Sequence, residues 1–385
     1  MAKKNILIVT TNSFPNGDAG AVRLGAFASI FQALGYAPIV VGMGETTGFA
    51  EKACDGVRYY SLRYPSGSTF YRVLGRLFYK KHLKKVVKPF ADQLDGILID
   101  SGDPSTMSFV KKLAKKNGIM PIYDSVEWYS ECEFKNGSRN VIYRYNNALN
   151  TKIIDNDYKV IAISSYLEEH FASRGIHVVR VPVIMDMKKI QIGDREKSNS
   201  DRIKIVYAGS IGTKDHIAEM IEGISCLSDV ERDRILFSII GITKEQYEEK
   251  FGKIEEKING SVEFMGRVSR DIVLKNLASA DFSFLLRPSK ERYTKAGFPT
   301  KVVEGLASGL PMLCNYSSDL ELYLKDKENS IIINECSAEA CAEALRRALT
   351  LTAEELYSLK LNARKTAEEN FDWRLYRNIV EQVLL

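Results

Sequence analysis

No run of apolar residues in this 385-residue chain approaches the ~18–20 that a bilayer crossing requires. The start, "MAKKNILIVTTNSF", is basic, but its apolar run is far shorter than a signal peptide's core and no small-residue cleavage site follows. Six cysteines (Cys54, Cys132, Cys226, Cys314, Cys336, Cys341) are scattered without a CxxC pair. That indicates neither a zinc site nor a disulfide framework, and it fits a cytoplasmic protein with reduced thiols. The histidines, His82, His170, His177 and His216, show no metal-ligand spacing. Neither GxxxxGK(S/T) nor GxSxG occurs. "GMGETTG" (42–48) follows an apolar run, but its glycine spacing departs from the dinucleotide fingerprint and no strong helix pattern opens there, which speaks against a dehydrogenase. "DND" (155–157) has the form of a metal-holding pair, yet it precedes a strand pattern where such a pair should end one. It reads as a helix end, and no metal is expected.

Present instead is the composition of a soluble globular protein, 45% hydrophobic and 27% charged. The length fits two domains of about 150–200 residues better than one. The net charge of +5 is unevenly spread. From Pro65 to Phe90 there is no acidic residue, while Arg72, Arg76, Lys80, Lys81, Lys84, Lys85 and Lys88 alternate with Leu74, Leu77, Phe78, Leu83, Val86 and Val87. Such a basic amphipathic helix has three readings: a solvated helix on the core, an anionic membrane surface, or a nucleic-acid contact. No nucleic-acid module accompanies it, so no nucleic-acid partner is expected.

Short apolar runs alternate with helix patterns throughout, the signature of doubly wound parallel α/β sheets. "NILIV", "APIVVG", "GILID", "MPIYD", "YKVIAIS" and "HVVRVPV" are the strand runs of a first domain, 1–190. The polar stretch 191–202 reads as a linker. "IKIVYAG", "ILFSIIG", "SVEFMG", "DFSFLL", "PMLCN" and "SIIIN" then mark a second domain, 203–368. "TAEE" (352–355) is a capping box, and 369–385 reads as a closing helix. Ligands of such sheets bind beyond the carboxyl ends of the strands, and with two domains the expected place is a cleft between them.

Three glycine-bearing strand-to-helix turns carry the candidate chemistry: "FPNGDAGAVR" with Gly20 and Arg23, "YAGSIGTKD" with Gly209, Ser210 and Lys214, and "YTKAGFPTK" with Gly297 to Lys301. Each offers unpaired N–H groups to an anion, and two add a lysine. Beyond the third turn, Val302, Val303, Leu306 and Ala307 form a buried helical stripe, with Lys301, Glu304 and Ser308 opposite. Spacing alone leaves two readings for Glu304: a surface pair with Lys301, or a ligand-facing carboxylate.

The stretch 296–312, "AGFPTKVVEGLASGLPM", is similar to the Glu-x7-Glu signature of GT-B-fold glycosyltransferases of family 4 ("group 1"), with Phe298, Glu304, Ala307, Gly309 and Pro311 on matching positions. "KIVYAGSIGTKD", "VEFMGRVSRDIVLKNLASADFSFLL" and "SFPNGDAGAVRLGAFASIFQALGY" resemble further segments of that family, so the likeness covers nearly the whole chain. It implies two Rossmann-like domains facing each other across a cleft, with the final helix returning to the N-terminal, acceptor-binding one. It also implies retaining transfer of a sugar from a nucleotide-sugar donor to a polysaccharide or lipid-linked acceptor, without a cofactor or an obligatory metal.

By that resemblance Glu304 grips the ribose hydroxyls and Lys214 neutralises the leaving diphosphate. Gly266 and Val268 wall the nucleobase, and Gly297, Phe298, Pro299 and Thr300 face the sugar and pyrophosphate. Two departures stand out. The first signature Glu is Ala296, and a usual basic residue is Ser210, for which Arg287 or Lys301 can substitute. On the acceptor side, where the family often has a His, "YDSVEWYS" offers Asp124 and Glu127, read either as acceptor-binding and catalytic or as a solvated turn. A nucleotide-sugar epimerase and a non-catalytic nucleotide-binding scaffold are the alternative readings. The expected location is cytoplasmic, at the inner face of the membrane if the 65–90 stretch binds lipid.

Overall fold

In the computed structural model all the apolar runs named above become strands, and two further strands join them. The structure describes residues 4–15, 17, 19–43, 51–62, 79–190, 192, 202–212 and 214–384. By contacts the chain forms two units: residues 1–128, 141–185 and 372–385, and residues 129–140 and 186–371.

The first unit carries β1 (Lys4–Ser13), β2 (Tyr36–Met43), β3 (Lys52–Cys54), β4 (Val57–Leu62), β5 (Leu94–Ile99), β6 (Ile122–Ser125), β7 (Lys159–Ala162) and β8 (Val178–Arg180). Their order in the sheet is β3-β4-β2-β1-β5-β6-β7-β8. Among the described residues only β3 and β4 pair antiparallel. Ile6, Leu7, Ile8 and Val9 of β1 are fully buried, as a parallel strand covered on both faces requires. The β3–β4 hairpin was not expected from the apolar pattern. Its turn is Asp55-Gly56, with φ of 52° and 76°, the primed geometry that Asp-Gly favours. Val380 and Val383 join Ile6, Phe27 and Phe31 in this unit's core, so the end of the chain packs on the first sheet.

The second unit holds β9 (Ile203–Ala208), β10 (Ile235–Ile240), β11 (Val262–Gly266), β12 (Phe282–Leu285), β13 (Met312–Cys314) and β14 (Ser330–Ile332). All pair parallel in the order β11-β10-β9-β12-β13-β14. The order reverses between β9 and β12, which opens a crevice beyond their carboxyl ends. Helix Thr300–Ala307 buries Val302, Val303, Leu306 and Ala307, the stripe read from the sequence. Helix Ala353–Asn370 starts on the predicted capping box of Thr352 and Glu355. Its buried Arg364 donates to the carbonyls of Ala307 and Met187.

One expectation changes here, and others fall outside the described residues. Residues 129–140, placed by sequence in the first domain, cluster with the second unit. The "DND" aspartates follow a π-helical turn, Leu149–Ile153, and both pair with Lys111, at 2.9 and 2.7 Å. Most of "GMGETTG" and of the 191–202 linker lies outside the described residues, as does the basic stretch before residue 79. Residues 79–87 are helical. They bury Tyr79, Leu83, Val86 and Val87 and leave Lys81, Lys84 and Lys85 exposed. Among the described residues no helix is long and apolar enough to cross a membrane, and no group of three or more His, Cys, Asp or Glu could hold a metal.

Candidate functional site

Beyond β9 the chain turns through Gly209 to Asp215, and beyond β12 it reaches Arg287, so both stretches lie at the switch point of the second sheet. Asp215 sits at the centre. Its Oδ1 accepts from Arg287 Nε at 2.6 Å, and its Oδ2 accepts from Lys301 and, at 2.8 Å, from the Tyr207 hydroxyl. Lys301 Nζ also donates to the Tyr207 hydroxyl at 3.2 Å and lies 4.7 Å from that ring's centre. Burial alone would raise the Asp215 pKa, but the charges of Arg287 and Lys301 outweigh it and hold the carboxyl well below the usual range. Gly209 makes room for this cluster: a Cβ there would stand 2.5 Å from Lys301 Nζ.

Lys301 therefore pairs with Asp215, and the surface pair with Glu304 is not the arrangement found. One turn along the same helix, Glu304 Oε1 accepts from both terminal nitrogens of Arg270 at 3.4 Å. Burial pushes the Glu304 carboxyl above its ordinary pKa, against the pull of Arg270. Lys214, the expected phosphate ligand, pairs with Glu133 at 3.3 Å. Ser210 is exposed at the turn.

The Gly-Phe-Pro turn is divided in role. Gly297 caps the short helix Arg292–Ala296, and Pro299 and Thr300 open the next one. Phe298, expected to face the ligand, instead has its ring in an edge-on cluster with Tyr323 and Phe371, centroids 5.8 and 5.7 Å away. Only its backbone remains available at the turn. Ala296 is fully buried. Gly266 ends β11 with φ of 60°, and Val268 packs partly buried against the apolar cluster that includes Val206, Ile240 and Leu277.

On the first sheet two of the candidate residues turn to each other. Arg23 and Asp124 are 5% and 1% exposed and bind each other through two hydrogen bonds, of 2.8 and 2.7 Å. Arg23 also donates to the carbonyls of Val181 and Pro182. A guanidinium and a carboxylate so matched tie the helix Ala19–Ala33 to β6, and each serves as the other's counter-charge. Glu127 is half-buried, and its carbonyl accepts from Asn146 and Asn150. Gly20 lies in the first turn of its helix, where a Cβ would stand 2.6 Å from Asn12 Nδ2.

The switch point of this sheet, between β1 and β5, holds a polar group the sequence reading missed. Asp100 accepts from Ser101 Oγ at 2.6 Å, Thr10 Oγ1 at 2.9 Å and Asn12 Nδ2 at 2.7 Å. Burial pushes its carboxyl up to about 6, against those hydrogen bonds. The signal was in the sequence, since Thr10, Asn12, Asp100 and Ser101 all stand at strand ends. Asp215, Arg270 and Glu133 were missed for a different reason: their partners lie far away in the chain.

Comparison with known proteins bears on the second domain and on the fold. Residues 189–366 match the family described as glycosyl transferases group 1, a span that includes the whole second sheet. Three solved structures share the fold over the full chain. The Anabaena Alr3699/HepE protein in complex with UDP and glucose is 14% identical, covers 99% of each chain and has a TM-score of 0.68. WaaG, a glycosyltransferase involved in lipopolysaccharide biosynthesis, is 18% identical over 98% of this chain and 99% of its own, with a TM-score of 0.68. The sucrose-phosphate synthase of Thermosynechococcus elongatus is 13% identical over 99% and 98%, with a TM-score of 0.73. No curated protein matches the sequence.

Proposed function

We propose, from the match of residues 189–366 to glycosyl transferases group 1 and the fold shared with WaaG, that the protein transfers a sugar, with retention, from a nucleoside-diphosphate donor to a polysaccharide or lipid-linked acceptor. The observation that carries this reading is the placement of Arg287, Lys301 and Glu304 at one switch point. Arg287 and Lys301 share the single carboxylate of Asp215, so one net positive charge is left there to meet a diphosphate, and a carboxylate one helical turn from Lys301 meets the vicinal hydroxyls of a ribose. Lys214 stands on the adjoining turn, where it neutralises the charge that grows on the leaving diphosphate. No divalent cation takes part. The structure of the HepE protein with UDP and glucose supports a nucleotide-sugar donor. In this reading the protein acts in the cytoplasm, and its exposed lysines near residues 81–88 support a site of action at the anionic inner face of a membrane.

One observation favours a second reading, a nucleotide-binding scaffold without catalysis: fully buried Ala296 offers no polar group to a donor sugar. Calorimetry with UDP, GDP and ADP in EDTA tests the binding site, and turnover of the matching sugar nucleotides separates enzyme from scaffold. Glu304→Ala is expected to weaken the preferred diphosphate by roughly 1.5–3 kcal/mol, the range for a charged hydrogen bond. Equal affinities for wild type and variant would remove Glu304 from the site.

A further inference from the structure

Residues 129–140 follow β6 in sequence but belong to the second unit, and their anchors converge on stretches flanking the cationic centre. Arg292 Nε donates to the Tyr129 carbonyl at 3.2 Å, and the Tyr293 amide donates to the Ser130 hydroxyl at 3.2 Å. Those two residues belong to the short helix that leads into the Gly-Phe-Pro turn. Glu133 is held from two sides. Its Oε2 accepts the Ser130 N–H at 2.8 Å as part of a capping box, and its Oε1 lies 3.3 Å from Lys214 Nζ. The Glu133 side chain is only 7% exposed. The Lys214 ammonium also lies 5.3 and 5.9 Å from the ring centres of Tyr129 and Tyr293.

A capping box fixes a glutamate's rotamer, so this carboxylate stays aimed at the ammonium while the segment 129–140, a strap anchored at Arg292 and Tyr293, keeps its conformation. The ammonium is the one that the proposed function assigns to the donor diphosphate. Two anions then compete for one cation, and a phosphate gains only the difference between its own attraction and that of the carboxylate it displaces or crowds. We infer that Glu133 is the displaceable counter-ion of Lys214 and that it sets how tightly the site holds a nucleoside diphosphate. The inference rests on the donor reading above and adds an affinity-determining residue to it. Its consequence for turnover is faster release of the spent diphosphate, because a carboxylate held beside Lys214 weakens the ammonium's grip on the product.

Glutamine serves a capping box as glutamate does, so Glu133→Gln removes the charge while keeping the strap's local structure. Calorimetry with whichever of UDP, GDP or ADP binds wild type best would be run on wild type, Glu133→Gln, Lys214→Ala and the double variant. Glu133→Gln is expected to tighten binding roughly 3- to 10-fold, and that gain is expected to vanish in the Lys214→Ala background, where no pair remains to break. Glu133→Asp, which withdraws the charge from Lys214 by one methylene, is the second variant and is expected to tighten binding by less. Unchanged or weaker binding in both variants, with wild type binding normally, overturns the inference and leaves the donor reading standing. If wild type binds none of the three nucleotides, the donor reading falls and takes the inference with it.

Discussion

Gly209 and Gly241 meet at the carboxyl ends of β9 and β10, and substituting each is expected to fail differently. A Cβ on Gly241 would stand 2.4 Å from the Gly209 carbonyl oxygen, and its φ is 96°. Neither backbone can yield, so Gly241→Ala is expected to lose roughly 2–4 kcal/mol in urea unfolding, from overpacking and left-handed strain together. A Cβ on Gly209 meets mainly the flexible end of Lys301 and the Tyr207 hydroxyl. Gly209→Ala is therefore expected to keep most of its stability but to push Lys301 off Asp215, and calorimetry should show weakened diphosphate binding. Comparable stability losses in the two variants would mean that the Lys301 side chain is as unyielding as backbone. The sequence pointed to this turn but not to the residue at its centre. Lys214 and Asp215 are neighbours in "GTKD", and spacing cannot say which of two adjacent residues turns toward a helix 86 positions away. The Arg23–Asp124 pair was hidden in the same way, since its partners are 101 positions apart and no periodicity links them.

At the scale of elements, strands buried on both faces were legible because a parallel sheet demands near-continuous apolar runs. The β3–β4 hairpin was not, because "KAC" and "VRYYSL" are partly exposed and lack such a run. What marks the hairpin is its turn, "CDGV". Asp55 and Gly56 both have positive φ, and the two strands have no other connection. Gly56→Ala puts a Cβ into the left-handed region beside only Gln32 Nε2, at 3.2 Å, so conformational strain of roughly 1–2 kcal/mol is the main expected cost. Gly56→Asn is expected to recover much of it, since asparagine tolerates that region. Urea midpoints of the three proteins check the order. An alanine variant as stable as wild type would show that this turn does not constrain the hairpin. Residues 129–140 were misplaced for a further reason: a segment's unit is decided by its contacts, and "YSECEFKNGSRN" carries too little apolar residue to declare any.

For the whole molecule, the net charge of +5 matters through its distribution. In the described part of the basic stretch, the apolar side is already used. Leu83, Val86, Val87 and Phe90 are buried, while Lys81, Lys84, Lys85 and Lys88 are exposed. A helix that spends its apolar face on its own core cannot also sink that face into a bilayer. The proposed attachment to a membrane through this segment would then be electrostatic, with about 1 kcal/mol contributed by each basic residue near an anionic surface. It should also be reversible by salt, because the screening length shrinks to about 3 Å at 1 M. Wild-type protein is expected to sediment with vesicles rich in anionic lipid at low ionic strength, to stay in solution with neutral vesicles, and to be released by high salt. Reversing the charge at Lys81, Lys84, Lys85 and Lys88 removes about 4 kcal/mol of attraction and adds repulsion, so binding should fall by more than about 100-fold while diphosphate affinity is retained. Sedimentation that resists high salt would point to apolar insertion elsewhere in the chain, and a wild type that ignores anionic vesicles at low salt would return this helix to an ordinary solvated surface.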